Sequence, residues 1–146
     1  MPVEKEFNLN QTYKTGREMI KSQKILVGLD GSVQAMSALS EAISLAKCFE
    51  CSVKVITVYK RGMQTKAREI LSEAKQKLDA EKVGYDVSQI LGSNPARALQ
   101  NIAKHENFDL IVVGNRGLGS TASLLLGSVS QQVVVGAECN VLVVKK

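Results

Sequence analysis

The chain has 146 residues, of which 45% are hydrophobic and 23% charged, so it is long enough for one domain with a buried core and has an ordinary globular composition. No apolar run approaches the roughly 18 residues of a membrane span, and residues 1–24 lack the apolar core of a secretory signal, so we expect a cytoplasmic protein without a membrane partner. The formal charge of +5 does not indicate a nucleic-acid partner, because acids are interspersed among the basic residues and aromatic residues make up only 4%.

The first half of the chain alternates predicted strands and helices. Residues 24–29 form a short apolar run that is typical of a parallel strand, and Ser32 is the expected N-cap of the helix that follows. A β-branched run at 53–59 predicts the second strand. The apolar spacing over 63–78 predicts an amphipathic helix, which we expect Gly84 to end.

The second half continues the alternation. Residues 85–91 predict a third strand, more polar and therefore expected at a sheet edge, and 93–95 (Ser-Asn-Pro) start a helix. Strands four and five are predicted at 108–113 and 140–145. Between them, 128–137 contain four valines, and propensity alone does not decide between helix and strand there. Strand–helix alternation predicts a parallel sheet covered by helices on both faces.

Residues 1–22 precede the first strand and lack apolar periodicity. We interpret them as an N-terminal extension, either disordered or an arm packed on the surface or on a neighbour, with the folded domain at 23–146.

Cys48 and Cys51 form a C-x-x-C pair at the end of a predicted helix. A helix C-terminus does not lower the pKa of a thiol, so we expect structural thiols. His105 is expected to be non-catalytic.

The strongest functional signal follows the fourth strand. Gly114 and Gly117 come directly after it, and Gly127-Ser128 stand at the expected start of the next helix. Glycines allow the backbone to approach a ligand closely, and amides at a helix start bind anions. Arg116 is the nearby cation. The segment therefore predicts a phosphate cradle made mainly of main-chain amides.

Three phosphate-loop patterns compete for this segment. The P-loop pattern fails because no lysine lies between Lys104 and Lys145. Residues 117–122 match the dinucleotide fingerprint G-x-G-x-x-A, but only 123–146 remain, too few for the second half of a dinucleotide-binding fold. The third pattern, G-x-x-G followed by nine residues and G-S, fits residues 114–128.

With this third pattern, the chain closely resembles the ATP-binding branch of the universal stress protein family over residues 22–146. Four segments in the family's order and spacing carry the resemblance: Lys-Ile-Leu-Val-Gly-Leu-Asp-Gly-Ser at 24–32, Gly-Ser-Asn-Pro-Ala at 92–96, Leu-Leu-Leu-Gly-Ser-Val-Ser at 124–130 and Cys-Asn-Val-Leu-Val-Val at 139–144. Asn140 stands where the family more often has proline, and the extension is longer than the family usually shows.

The resemblance implies a single-domain, Rossmann-like α/β fold with a five-stranded parallel sheet of order 3-2-1-4-5. It also implies a helix at 128–137 and a homodimer paired through strand 140–145. In ATP-binding members adenine lies near the ends of strands one and two, which corresponds here to Gly28, Asp30 and Val58. The implied ribose and phosphate contacts are Gly114, Asn115, Arg116, Gly117, Gly119, Ser120, Gly127, Ser128 and Val129.

Plain alternatives stand beside these roles. Asp30 could cap a helix or order a turn rather than contact adenosine or Mg²⁺. Arg116 could be a solvated loop residue, and Ser128 would cap its helix in either case. We expect an ATP-binding regulatory protein of the stress response, in which nucleotide orders the loop 114–127 and an unidentified protein partner reads the change. The alternatives are a slow Mg²⁺-dependent ATPase or phosphotransferase using Asp30, and a nucleotide-free interaction module.

Overall fold

The structure is a computed structural model that describes residues 23–117 and 126–145. Three of the predictions fall on other residues. The N-terminal extension 1–22 and the proposed ligand contacts of Gly119 and Ser120 lie outside the described residues and stay predictions.

Strands and helices alternate through the described residues. The strands are β1 (Ile25–Gly28), β2 (Val53–Tyr59), β3 (Tyr85–Leu91), β4 (Leu110–Gly114) and β5 (Asn140–Val144). The helices are α1 (Val33–Phe49), α2 (Gln64–Ala80), α3 (Pro95–His105) and α4 (Ser128–Gly136). All neighbouring strands pair in parallel, in the order β3-β2-β1-β4-β5. The predicted fold class and strand order are confirmed, and the valine-rich segment is helical.

The core has two layers, one on each face of the sheet. Leu26 and Val27 are adjacent in β1 and both 0% exposed, yet they belong to different layers, as side-chain alternation along a strand requires. The layer that contains Val27 packs against α1 and α2, for example through Leu39. The layer that contains Leu26 packs against α3 and α4, for example through Leu99. Helices therefore cover both faces, as predicted.

Two helix starts are fixed by side-chain caps. The Ser32 hydroxyl accepts a hydrogen bond from the Ala35 N–H at 3.1 Å, which confirms the predicted N-cap of α1. At α3, the Asn94 side chain accepts from the Arg97 N–H at 3.0 Å, and Pro95 is the first helical residue. None of the helices in these ranges is both long and apolar enough to cross a membrane.

Several predicted element ends shift. Gly84 does not end α2, because the helix already ends at Ala80 and the chain turns through Lys82, whose φ is 57°. Gly84 instead lies immediately before β3. Strand β4 begins at Leu110 rather than at Phe108, whose ring packs in the core beneath the Lys24 ammonium group.

Candidate functional site

A cavity of about 300 Å³ opens at the carboxyl ends of β1 and β4. At this point the chain leaves β1 toward α1 on one face of the sheet and leaves β4 toward α4 on the other. The two connections diverge and leave a crevice between them, the usual position of a ligand in an open α/β sheet. The cavity volume is at the lower end of the range for small-molecule pockets.

Most of the predicted site residues line this cavity. They are Gly28, Asp30, Val58, Gly114, Arg116, Gly117, Gly127, Ser128 and Val129. Asn115 is described but is not part of the lining. Its side chain is 7% exposed, and its main-chain groups hold neighbouring elements together.

Sequence reasoning missed the apolar walls. These residues are Leu29, Ala35, Ile56, Pro95, Leu99 and Val113. Ile56 and Leu99 belong to the core layer beneath α3 and α4, so the cavity continues the apolar interior of the protein. The sequence alone does not distinguish these residues from the core, because every buried strand and helix contains similar apolar residues.

Two glycines of the lining lie very close to neighbouring elements. A β-carbon on Gly114 would lie 2.6 Å from the backbone carbonyl carbon of Gln34, near the start of α1. A β-carbon on Gly28 would lie 2.9 Å from Cδ1 of Leu99. At Gly114 the contact is with backbone, so a side chain is excluded whether or not a ligand binds, whereas at Gly28 the contact is with the end of a leucine side chain that can shift.

The two ends of the glycine-rich segment are tied together at Asn115. Its carbonyl oxygen accepts hydrogen bonds from the Gly127 N–H at 2.6 Å and from the Ser130 hydroxyl at 2.8 Å. The Asn115 N–H donates to the Val144 carbonyl at 2.8 Å, which joins the end of β4 to β5. These bonds place the start of α4 beside the end of β4, and hence at the cavity.

The prediction that Ser128 caps α4 is wrong. Gly127 occupies the N-cap position and provides no side-chain cap, and Ser128 is the first helical residue. The hydroxyl that bonds locally is that of Ser130, which donates to the carbonyls of Asn115 and Gly127. The N-cap Gly127 has no side chain that could bind the first amides of α4, and this turn borders the cavity. Helix-start amides favour an anion.

The charged residues of the lining within the described ranges are Asp30 and Arg116. One carboxylate oxygen of Asp30 accepts the Ser32 N–H at 2.9 Å, so the carboxylate is oriented at the start of α1. Over residues 23–117 and 126–145, no group of three His, Cys, Asp or Glu side chains could hold a metal ion. The described lining thus offers one carboxylate and one guanidinium group to the polar parts of a ligand.

The thiols and the imidazole lie away from the cavity lining. His105 is the last residue of α3 and is exposed, with Nδ1 2.7 Å from the Asn101 carbonyl oxygen. Cys48 lies in the last turn of α1, whereas Cys51 and Cys139 precede β2 and β5. Burial raises the pKa of the Cys51 and Cys139 thiols above their ordinary value, which opposes thiolate chemistry.

Comparison with known proteins agrees with this geometry. The sequence profile of the Universal stress protein family matches residues 21–145. A universal stress protein of Methanocaldococcus jannaschii is 33% identical over 97% of this chain and 92% of its own length. One from Thermus aquaticus is 36% identical over 83% of this chain and 97% of its own length. Among solved structures, a universal stress protein in complex with cAMP is 32% identical, covers 84% of this chain and 96% of its own, and has a TM-score of 0.72. The chain therefore belongs to the universal stress protein family, as the order and spacing of its motifs predict.

Proposed function

We propose that this protein is an ATP-binding regulatory protein of the stress response that holds its nucleotide in the cavity between β1 and β4. One observation carries the proposal: apolar side chains line one part of the cavity, and the start of α4, whose N-cap Gly127 provides no side-chain cap, lines another. An apolar region beside an anion-binding helix terminus matches a base joined to phosphates. The relative that is 32% identical was solved with cAMP, an adenine nucleotide, which supports the same ligand class here.

The adenosine end of the ligand would lie at the ends of β1 and β2. Val58 and Ile56 offer apolar surface there, and Gly28 leaves the space that a side chain would fill against Leu99. Asp30, oriented by the Ser32 N–H, would face the ribose or a Mg²⁺ ion. Mg²⁺ commonly binds through one or two carboxylates together with substrate phosphates and waters, which a single aspartate can satisfy.

The phosphate end would lie between Arg116 and the first turn of α4, where Gly117, Gly127, Ser128 and Val129 line the cavity. Asn115, Gly119 and Ser120 complete the predicted set. A hydrogen bond to a charged group contributes roughly 1.5–3 kcal/mol. Three or four such bonds together with burial of adenine would give about −8 kcal/mol, which corresponds to roughly micromolar affinity.

We expect binding without rapid hydrolysis. Fast phosphoryl transfer needs groups that position water and neutralise the developing charge on the γ-phosphate. The described part of the lining offers one acid, Asp30, and one cation, Arg116. The nucleotide would act as a signal, ordering the loop 114–127 so that a partner protein recognises the altered surface.

The proposed assembly is a homodimer in the cytoplasm. Strand β5 is the outer strand of the sheet beyond β4, and the main-chain groups on an outer edge can pair with a second copy around a twofold axis. Val134 and Val135 of the neighbouring helix are 46% and 81% exposed and would extend such an interface. The domain proper would begin near residue 23, with 1–22 as its extension.

Isothermal titration calorimetry with ATP tests the proposed function. Wild-type protein should bind at about micromolar Kd, and Gly117→Asp should weaken binding at least about 30-fold, because it adds a negative charge beside Asp30 and the phosphates. Gly84→Asp is the matched control, since it adds the same charge before β3, where a β-carbon makes only an ordinary 3.6 Å contact. Absence of heat with wild-type protein at tens of micromolar would favour a nucleotide-free interaction module instead.

A further inference from the structure

A second cavity, of about 210 Å³, adjoins the proposed nucleotide site at the end of β2 and the start of α2. Asp30 and Val58 line both cavities, so the two spaces meet at these residues. Val58 packs with the layer under α3 and α4, whereas Ile70, on the wall of the second cavity, packs with the layer under α1 and α2.

The second cavity is lined by two lysines, Lys60 and Lys66. Within residues 23–117 and 126–145, neither forms an ion pair with a carboxylate, whereas Lys47 and Lys54 pair with glutamates. Asp30, at the boundary with the main cavity, is the one acid in the described lining. Two lysines and one aspartate in the described lining give the cavity an excess of positive charge, which attracts anions.

The remaining walls of the second cavity are largely apolar. Ala67 and Ile70 provide an apolar floor, and the Thr57 hydroxyl is already engaged, because it donates to the Leu29 carbonyl at 2.7 Å. A single phosphate group is small enough for a cavity of about 210 Å³, and its oxygens would be the acceptors for the lysines of the lining.

We infer that this second cavity binds a second phosphate group, so that the preferred ligands are adenine nucleotides phosphorylated on the ribose as well as at the 5′ position. The inference rests on the proposed function, because the adenosine must lie against Val58 and Asp30 for one ligand to reach both cavities. Its 5′ phosphate then extends toward α4, and its ribose 2′ or 3′ phosphate extends past Asp30 toward Lys60 and Lys66.

Calorimetry with three probes tests the inference. The probes are adenosine 5′-monophosphate, adenosine 3′,5′-bisphosphate and adenosine 2′,5′-bisphosphate. Wild-type protein should bind one of the bisphosphates about tenfold more tightly than the monophosphate. In the Lys60→Gln/Lys66→Gln variant this advantage should fall below about twofold while the affinity for the monophosphate stays the same. The Lys75→Gln/Lys82→Gln variant removes equal charge outside both cavities and should keep the advantage.

Each contrary outcome has a distinct meaning. Equal affinity for all three probes in wild type, or an advantage that survives in the Lys60→Gln/Lys66→Gln variant, overturns the inference and leaves the proposed function standing. If that variant weakens the monophosphate as strongly as the bisphosphates, the lysines hold the 5′ phosphate and the inference is overturned. If no probe binds wild-type protein, the proposed function fails and the inference fails with it.

Discussion

The α-carbon of Gly117 lies so close to the carboxylate of Asp30 that a β-carbon at position 117 would overlap Oδ2 of the aspartate. Asp30 follows β1 and Gly117 follows β4, so this contact joins the two loops that form opposite sides of the main cavity. The shape of the cavity therefore depends on a glycine at position 117 and on the orientation of one carboxylate.

Gly117→Ala should weaken ATP binding about five- to tenfold without adding charge, because the new methyl group displaces the Asp30 carboxylate. Calorimetry measures the change. In an Asp30→Ala background the same substitution should cost much less, since the overlapping atom is gone. Equal penalties in the two backgrounds would show that Gly117 acts through something other than Asp30.

Ser130→Ala should lower the free energy of unfolding by about 1–2 kcal/mol, measured by urea denaturation. The Ser130 hydroxyl is buried at 3% exposure and donates to the Asn115 carbonyl, so its loss loosens the start of α4. Ser44→Ala is the control, because that exposed hydroxyl bonds only to the carbonyl one turn earlier and should matter little. A stability loss equal to that of Ser44→Ala would refute the structural role given to Ser130.

Lys54→Met should cost about 1 kcal/mol of stability, more than Lys104→Met, for which we expect under about 0.5 kcal/mol. The Lys54 side chain is 15% exposed and its ammonium lies 2.9 Å from Glu106, whereas Lys104 and Glu138 form an exposed pair. Thermal or urea unfolding at low salt checks the difference. Equal losses would mean that partial burial does not strengthen the Lys54 pair.

Alkylation by iodoacetamide near pH 8 should modify Cys48 first. Cys48 is exposed, whereas burial, the largest cause, raises the pKa of Cys51 and Cys139. A raised pKa leaves less thiolate at a given pH, so labelling of these two thiols should be slow and should accelerate as pH rises further. Mass spectrometry of peptides follows each site, and labelling in denaturant should be uniform. Fast labelling of Cys51 in the folded protein would contradict this order.

The sequence predicts the frame of the fold well, since short apolar runs and helical spacing are local signals. It fails where a tertiary contact competes with a local preference. Ser128 is a better N-cap residue than Gly127 by propensity, yet Gly127 takes the position because its N–H bonds to the Asn115 carbonyl. The helix at 128–136 likewise depends on packing, since its β-branched valines have a lower helix propensity than strand propensity.

The second cavity could not be read from the sequence. Lys60 and Lys66 stand among other basic residues and carry no motif. The parallel pairing of β1 with β2 places the ends of the two strands side by side. As a result, these lysines and Asp30 line the same cavity. The proposed phosphate cradle could be identified from the sequence as a candidate, because all of its glycines lie in one segment of the chain.

The most direct test of the central claim is an NMR titration of the ¹⁵N-labelled protein with ATP. We predict large amide shifts at the carboxyl edge of the sheet, including Gly28, Gly117 and Val129, with none at Cys51 and Asp109 on the opposite edge. If saturating ATP left the first group unmoved, or moved only the second, the cavity between β1 and β4 would not be the nucleotide site.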